Sequence, residues 1–189
     1  MLVPGQRTRQ LKIGEEEMHL LTNGPLEEWR MEVGTRQPET AAWFAKYLKP
    51  GNTFYDIGAS IGVWSIYAGR IVGAKGTVYS FEAQAVNYAT LVVNVVLNAQ
   101  NDRTVTLPVL LDHTNKVLHL GMPDQSWLFS GAVVPGPRPD AVEVSHTVIV
   151  ARLDTFRDQY ALKRPNLIKI DVDGNEYHCL EGMNMTLKD

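Results

Sequence analysis

The sequence predicts an α/β domain built as a doubly wound, mostly parallel sheet with helices on both faces. Three observations lead there. Between residues 53 and 111, short apolar runs of strand character alternate with segments of helical periodicity, giving β-α-β-α-β. The first strand–helix junction is made of small, turn-forming residues, Gly58-Ala59-Ser60-Ile61-Gly62. Late in the chain, Leu167-Ile168-Lys169-Ile170-Asp171-Val172 is the near-continuous apolar run of a strand buried on both faces. The 189 residues, 44% hydrophobic and 21% charged, can bury a sizeable single core and exclude a disordered, collagen-like or fibrous chain.

The elements follow in order. Residues 9–33 read as short strands around turns: Leu11 and Ile13 alternate with Lys12, then Met18, Leu20 and Leu21 follow, then Trp29, Met31 and Val33 alternate with Arg30 and Glu32. Gly14 and Asn23-Gly24-Pro25 mark the turns. Pro38 begins a helix that Pro50-Gly51 ends. Thr53 to Ile57 is the first core strand, Val63 to Val72 a helix, Thr77 to Phe81 the second strand. Val86 to Asn98 has helical spacing, with Leu91, Val92, Val95 and Val96 on one side and Asn87, Thr90, Asn94 and Asn98 on the other. Thr104 to Leu111 is the third strand. Residues 113–150 break the rhythm and are expected to form an insertion over the substrate side. In it, Val117 to Leu120 and Trp127 to Phe129 are strand candidates, 134–139 is a proline-rich loop, and Val142 to Val150 alternates as an edge strand would. Leu153 to Tyr160 is a short helix, Leu167 to Val172 the fourth core strand, Glu176 to Gly182 a last helix. The domain division is therefore 1–36, an appended hairpin region, and 37–189, the main domain.

Charge and cysteine content remove several classes. A net charge of -3 with scattered Lys and Arg gives no electrostatic reason for a nucleic-acid partner. One cysteine, Cys179, excludes an internal disulfide framework and a cysteine-based zinc site, and fits a reducing, cytoplasmic setting. No stretch reaches the roughly 18 apolar residues of a membrane helix, and the polar Met1–Gln10 segment is not a signal peptide.

The glycine turn carries the chemistry. Gly58 permits the tight turn, and Gly62 lets the helix pack close to the strand. A dinucleotide site wants a middle glycine to make room for a pyrophosphate; here that position is Ser60. The turn thus suits a smaller anion, such as the carboxylate of an amino-acid moiety, held by the first helical N–H groups. Asp56, at the strand end, is placed to receive a cationic amine. Glu82 ends the second strand, where an acid accepts both ribose hydroxyls. Cradle, amine acceptor and ribose clamp together describe S-adenosylmethionine better than a nicotinamide dinucleotide.

The blocks Phe54 to Gly62, Val78 to Glu82, Asn87 to Asn98 and Leu167 to Glu176 resemble, in order, those of the FkbM-type methyltransferases. The resemblance covers about Pro50 to Met183. It implies a Rossmann-like class I methyltransferase fold and S-adenosylmethionine-dependent methylation, usually of a hydroxyl oxygen on a small molecule or sugar. Ala83 and Ala85 stand where the family usually has proline, and Asp171-Val172-Asp173-Gly174 stands for its D-V-E-G. The resemblance assigns Asp56, Gly58, Ser60 and Gly62 to the methionine end of the cofactor and Glu82 to the ribose. It brings Leu110, Leu111 and Asp112 near the adenine. Asp112 is either an acceptor for the exocyclic amine or an exposed loop acid.

A hydroxyl acceptor must lose its proton. Asp171 and Asp173 are candidates for base or substrate orienter; alternatively Asp171 only bonds its loop and Asp173 caps the helix near Glu176. With Glu176 they are also a conceivable Mg²⁺ set, but no metal is expected. His19, His113, His119, His146 and His178 show no metal-type spacing with one another or with Cys179; His113 is the alternative base. The rival readings are a nucleic-acid methyltransferase and a non-catalytic cofactor-binding or interaction module. The resemblance implies seven strands, whereas four can be placed. The expected fold therefore lacks its last strands, either because the chain is a fragment or because the exposed edge is covered by the N-terminal strands or by a second copy.

Overall fold

The computed structural model describes residues 7–22, 31–122 and 144–188. Trp29, the Trp127–Phe129 strand candidate and the proline-rich run 134–139 lie outside the described residues. β1 (Arg7–Ile13) and β2 (Glu16–Thr22) form an antiparallel hairpin. Residues 31–36, expected to alternate as a strand, are helical instead: α1 spans Val33–Arg36, with Arg36 N donating to Glu32 O and Gln37 N to Val33 O. Two apolar positions fit either periodicity, and here Met31 is buried in the cluster around Phe44, with Val33 packed against it. α2 (Pro38–Tyr47) begins with its proline in the first turn, where a missing N–H costs nothing.

β3 (Thr53–Ile57), α3 (Val63–Val72), β4 (Thr77–Phe81), α4 (Ala85–Leu97) and β5 (Thr104–Leu107) follow the predicted rhythm. The third strand is shorter than expected. Pro108 carries no N–H to continue a ladder, so the run Thr104–Leu111 splits there, and Val109–Leu111 becomes β6 of a second sheet. β7 (Lys116–Met122) and β8 (Val144–Ala151) complete that sheet in the order β6-β8-β7. β8, expected at an edge, lies in the middle, parallel to β6 and antiparallel to β7. Its alternating pattern specified one buried face, not the number of neighbours. α5 (Leu153–Gln159), β9 (Leu167–Ile170), α6 (Glu176–Glu181) and α7 (Asn184–Lys188) end the chain. Asp154 ties α5 to α7, accepting from Met185 N, Thr186 N and Thr186 Oγ1 at 2.7–2.9 Å.

The main sheet is wholly parallel in the order β5-β4-β3-β9. All five residues of β3 are buried. Phe54 points into a cluster with Phe44, Trp64 and Ile66, while Tyr55 and Ile57 join Phe81, Leu153 and Met183 on the opposite face. Both faces are thus covered, as a doubly wound sheet requires. β9 was expected to be buried on both faces; it is only half-buried, because among the described residues it pairs with β3 alone.

The hairpin does not cover that edge. It packs on α3 and α4, where Met18 and Leu20 join Trp64, Ile66 and Tyr67. The asparagine side of α4 is accordingly buried. Asn98 accepts from His19 N (2.9 Å) and donates to His19 O (2.7 Å), while Asn94 accepts from Leu21 N (2.7 Å) and donates to Ile61 O (2.8 Å). These amides satisfy the edge of β2, whose backbone groups would otherwise be buried unpaired. Val96, on the supposed apolar side, is exposed. No helix among the described residues is long and apolar enough to cross a membrane.

Candidate functional site

A cavity of about 490 Å³ opens above the carboxyl ends of β3, β4 and β9, the usual place for a ligand in an open α/β sheet. The Gly58–Gly62 turn forms its floor. Gly58 has φ +77°, and a Cβ there would lie 1.9 Å from the carbonyl oxygen of Asp171, so the turns after β3 and β9 touch only because residue 58 has no side chain. Gly62, at φ +90°, sits against Leu91 of α4. Two non-glycine residues with positive φ, Ser60 and Asp173, also line the cavity. Such backbone is costly and survives where surrounding structure enforces it.

Glu82 follows β4 and lines the cavity while being almost fully buried. Its Oε2 accepts from Ser60 N (2.7 Å) and its Oε1 from Gln84 N (2.9 Å). The two bonds fix the carboxylate between the glycine turn and the start of α4. A carboxylate has about four acceptor sites, and these two amides each take one. The amides of Gly58 and Ala59 both donate to Phe81 O. The N–H groups of residues 58–60 are therefore spent within the protein.

Beneath the cavity runs a buried polar chain. Ser80 Oγ donates to Ser65 Oγ (2.8 Å), Ser65 Oγ to Asp56 Oδ2 (2.6 Å), and Lys169 Nζ lies 3.3 Å from both Asp56 Oδ1 and Asp171 Oδ2. Burial opposes the charge on Lys169, but Asp56 and Asp171 outweigh it and hold its pKa above the usual lysine value. Asp56 is completely buried, whereas the Asp171 side chain is 56% exposed and lines the cavity. The lysine thus joins an inaccessible carboxylate to an accessible one.

Of the residues expected from sequence, Gly58, Ser60, Glu82, Leu110, Leu111, Asp171 and Asp173 line one cavity. Gly62 lies beneath it, where α3 starts. Asp56 does not line it: the cation it meets is Lys169 of this chain, because successive side chains of β3 point to opposite faces and its own points to the face covered by α3, where Ser65 bonds it. Asp112 does not line it either; its carboxylate meets His113 and Lys116. Asp173 is not a helix cap, since α6 begins after Asn175 with no side-chain cap. Glu176 pins that turn, accepting from Val172 N and Gly174 N, and these bonds, with its own backbone N–H foremost, lower its pKa. Lys169 and Arg36 line the cavity and were not singled out from sequence. The signal for Lys169 was present as the one charge inside an apolar strand. None marked Arg36, which arrives from another part of the chain.

A parallel sheet with a glycine turn after its first strand, an acid after its second and a cavity above both is the frame of a nucleoside-binding α/β domain. The chain belongs to the FkbM methyltransferase family: the methyltransferase FkbM domain matches residues 56–189. No curated protein sequence matches it. Among solved structures it is similar to a SAM-dependent methyltransferase from Aquifex aeolicus, with 23% identity, a TM-score of 0.36 and coverage of 46% of this chain and 47% of that one. A SAM-dependent O-methyltransferase from Thermotoga maritima gives 13%, 0.36, 64% and 58%. A tRNA m1G37 methyltransferase from M. jannaschii gives 14%, 0.36, 61% and 36%. The chain spans about half the length of the first two.

Proposed function

We propose that the protein is an S-adenosylmethionine-dependent methyltransferase acting on a hydroxyl oxygen of a small molecule or sugar in the cytoplasm. The observation that carries the reading is Glu82: a nearly buried carboxylate in the cavity wall, with each oxygen oriented by one backbone amide. It suits a ribose, whose paired hydroxyls are donors. The rest of the wall fits the same cofactor. Trp64 lines the cavity, and its indole Nε1–H is buried without a partner, a donor for a ligand atom to satisfy.

When bound, S-adenosylmethionine supplies a methyl group on a sulfonium, activated for in-line displacement. Glu82 accepts the ribose hydroxyls, and the turn, with Gly58, Ala59 and Ser60 in the cavity wall, borders the methionine end. Asp171 accepts the hydroxyl of the methyl acceptor and takes its proton on a carboxylate oxygen. Lys169 fixes that carboxylate, and fixed orientation is the larger part of what such a displacement asks of a protein. Asp56 acts here as the buried counter-ion that keeps Lys169 charged in place. The net charge of -3 favours a small-molecule or carbohydrate acceptor over a nucleic acid.

Calorimetry with S-adenosylhomocysteine tests the cofactor. Glu82→Ala removes two charge-assisted bonds to the ribose, about 1.5–3 kcal/mol each, so Kd should rise ten-fold or more; it also takes the acceptor from Ser60 N and Gln84 N, so Tm should fall as well. Absence of binding by the unaltered protein would overturn the cofactor. Methyl transfer to RNA but to no hydroxylated small molecule would overturn the acceptor.

A further inference from the structure

Outside the cavity, two histidines and an aspartate far apart in sequence come together. Asp112 and His113 follow β6, and His178 sits on α6; one ligand atom from each lies within 4.8 Å of the others. We propose that these three residues form a binding site for a divalent transition-metal ion of the zinc class. Ligands sharing one zinc ion lie about 3–4 Å apart, so side-chain adjustments of under an ångström close the set.

The surroundings prepare each ligand. The imidazole rings of His113 and His178 lie 4.5 Å apart between centroids, their planes tilted by 35°. His113 Nδ1 is buried against Asp112 Oδ1, which also accepts from His113 N, and among the described residues it makes no hydrogen bond of workable geometry. His178 Nδ1 lies 3.3 Å from Glu181 Oε2. A carboxylate on one ring nitrogen leaves the lone pair on the other, the arrangement that supports metal-bound histidines. Lys116 Nζ, 3.4 Å away, holds the other oxygen of Asp112, and Arg152 donates to His113 O at 2.8 Å. Those two cations offset part of the carboxylate charge, which weakens the attraction for any divalent ion, so discrimination among ions falls to the lone pairs. Two imidazoles and one carboxylate are the donors of zinc-type ions, whereas calcium and magnesium take oxygens. Cys179 is close but is not a ligand: its thiol is buried and donates to Leu111 O at 3.0 Å.

An ion here would clamp α6 to the end of β6. Asn175, just before α6, lines the cavity and bonds Leu111 O, so the clamp would brace the cavity rim. The proposal does not depend on the reaction assigned to the cavity. Untagged protein, freed of metal by a chelator, is titrated with Zn²⁺ by calorimetry and with Co²⁺ by visible absorption. One ion per chain is expected, with cobalt ligand-field bands and a Tm that rises with Zn²⁺. His178→Ala and His113→Ala should each weaken Zn²⁺ binding by about 100-fold or more, at least the upper end of the cost of losing an outer partner; His119→Ala, on β7, should change nothing. His178 is half-exposed and its replacement leaves the core intact. Absence of Zn²⁺ binding, an equal response to Mg²⁺, or unchanged affinity in both variants would reduce the cluster to an Asp112–His113 ion pair and overturn the proposal.

Discussion

Two polar clusters border the same loops and solve opposite problems. In the first, Lys169 stands between Asp56 and Asp171, each 3.3 Å away. One cation meets two carboxylates, and Ser65 and Ser80 extend the chain of bonds into the sheet. In the second, Asp112 stands beside two imidazoles, and a buried nitrogen of one has no hydrogen bond. The first cluster is complete within the chain and serves as a rigid base under a cavity. The second gathers imidazole and carboxylate lone pairs, partly engaged by Lys116 and Glu181, around one point. The lesson is that a buried charge paired inside the fold marks positioning, while imidazoles that converge on a carboxylate mark a place where lone pairs can be shared with a ligand.

The comparison breaks first at Lys169. Lys169→Met would leave Asp56 buried with only Ser65 for a partner, and breaking a buried pair costs about 3–5 kcal/mol. Urea denaturation measures it. Adding Asp56→Asn should recover much of the loss, and a double variant no more stable than Lys169→Met would show that the pair is not coupled. The same pair predicts an alkaline limit. Because pairing raises the pKa of Lys169 in the fold, its stabilisation is fully present below the ordinary lysine value of about 10.4 and is lost as pH rises through the folded value. Denaturation midpoints above about pH 10 should therefore fall less in Lys169→Met than in the unaltered protein.

Asp171→Asn separates positioning from folding. The side chain is more than half exposed, so stability should move by about 1 kcal/mol or less. Turnover should fall far more than affinity for S-adenosylhomocysteine; a loss confined to binding would make Asp171 a cofactor residue. The smallest effect belongs to the second cluster. Without metal, His178→Ala should change stability by no more than about 0.5 kcal/mol, as calorimetric scanning would register. A large metal-free loss would mean that the histidines hold the fold by themselves.

Much of this was legible along the chain. The alternation from Thr53 to Leu107 fixed a parallel sheet because strand and helix periods are local properties of backbone geometry. The glycine turn was legible because Gly58 and Gly62 need conformations and clearances other residues lack, and Glu82 because the end of a strand places the next residue above the sheet. Tertiary structure decided the rest. Asp56 points at the strand end in sequence, but which cation it meets depends on β9 lying beside β3, a pairing between segments over a hundred residues apart. The sequence puts Asn94 and Asn98 on one side of a helix, but what they bond is decided by the hairpin that settles on them. Asp112, His113 and His178 show no ligand spacing because two are adjacent and the third arrives on a helix brought in by the sheet. Periodicity records which way a side chain faces relative to its own element; what stands opposite is set by long-range packing, which no local pattern encodes.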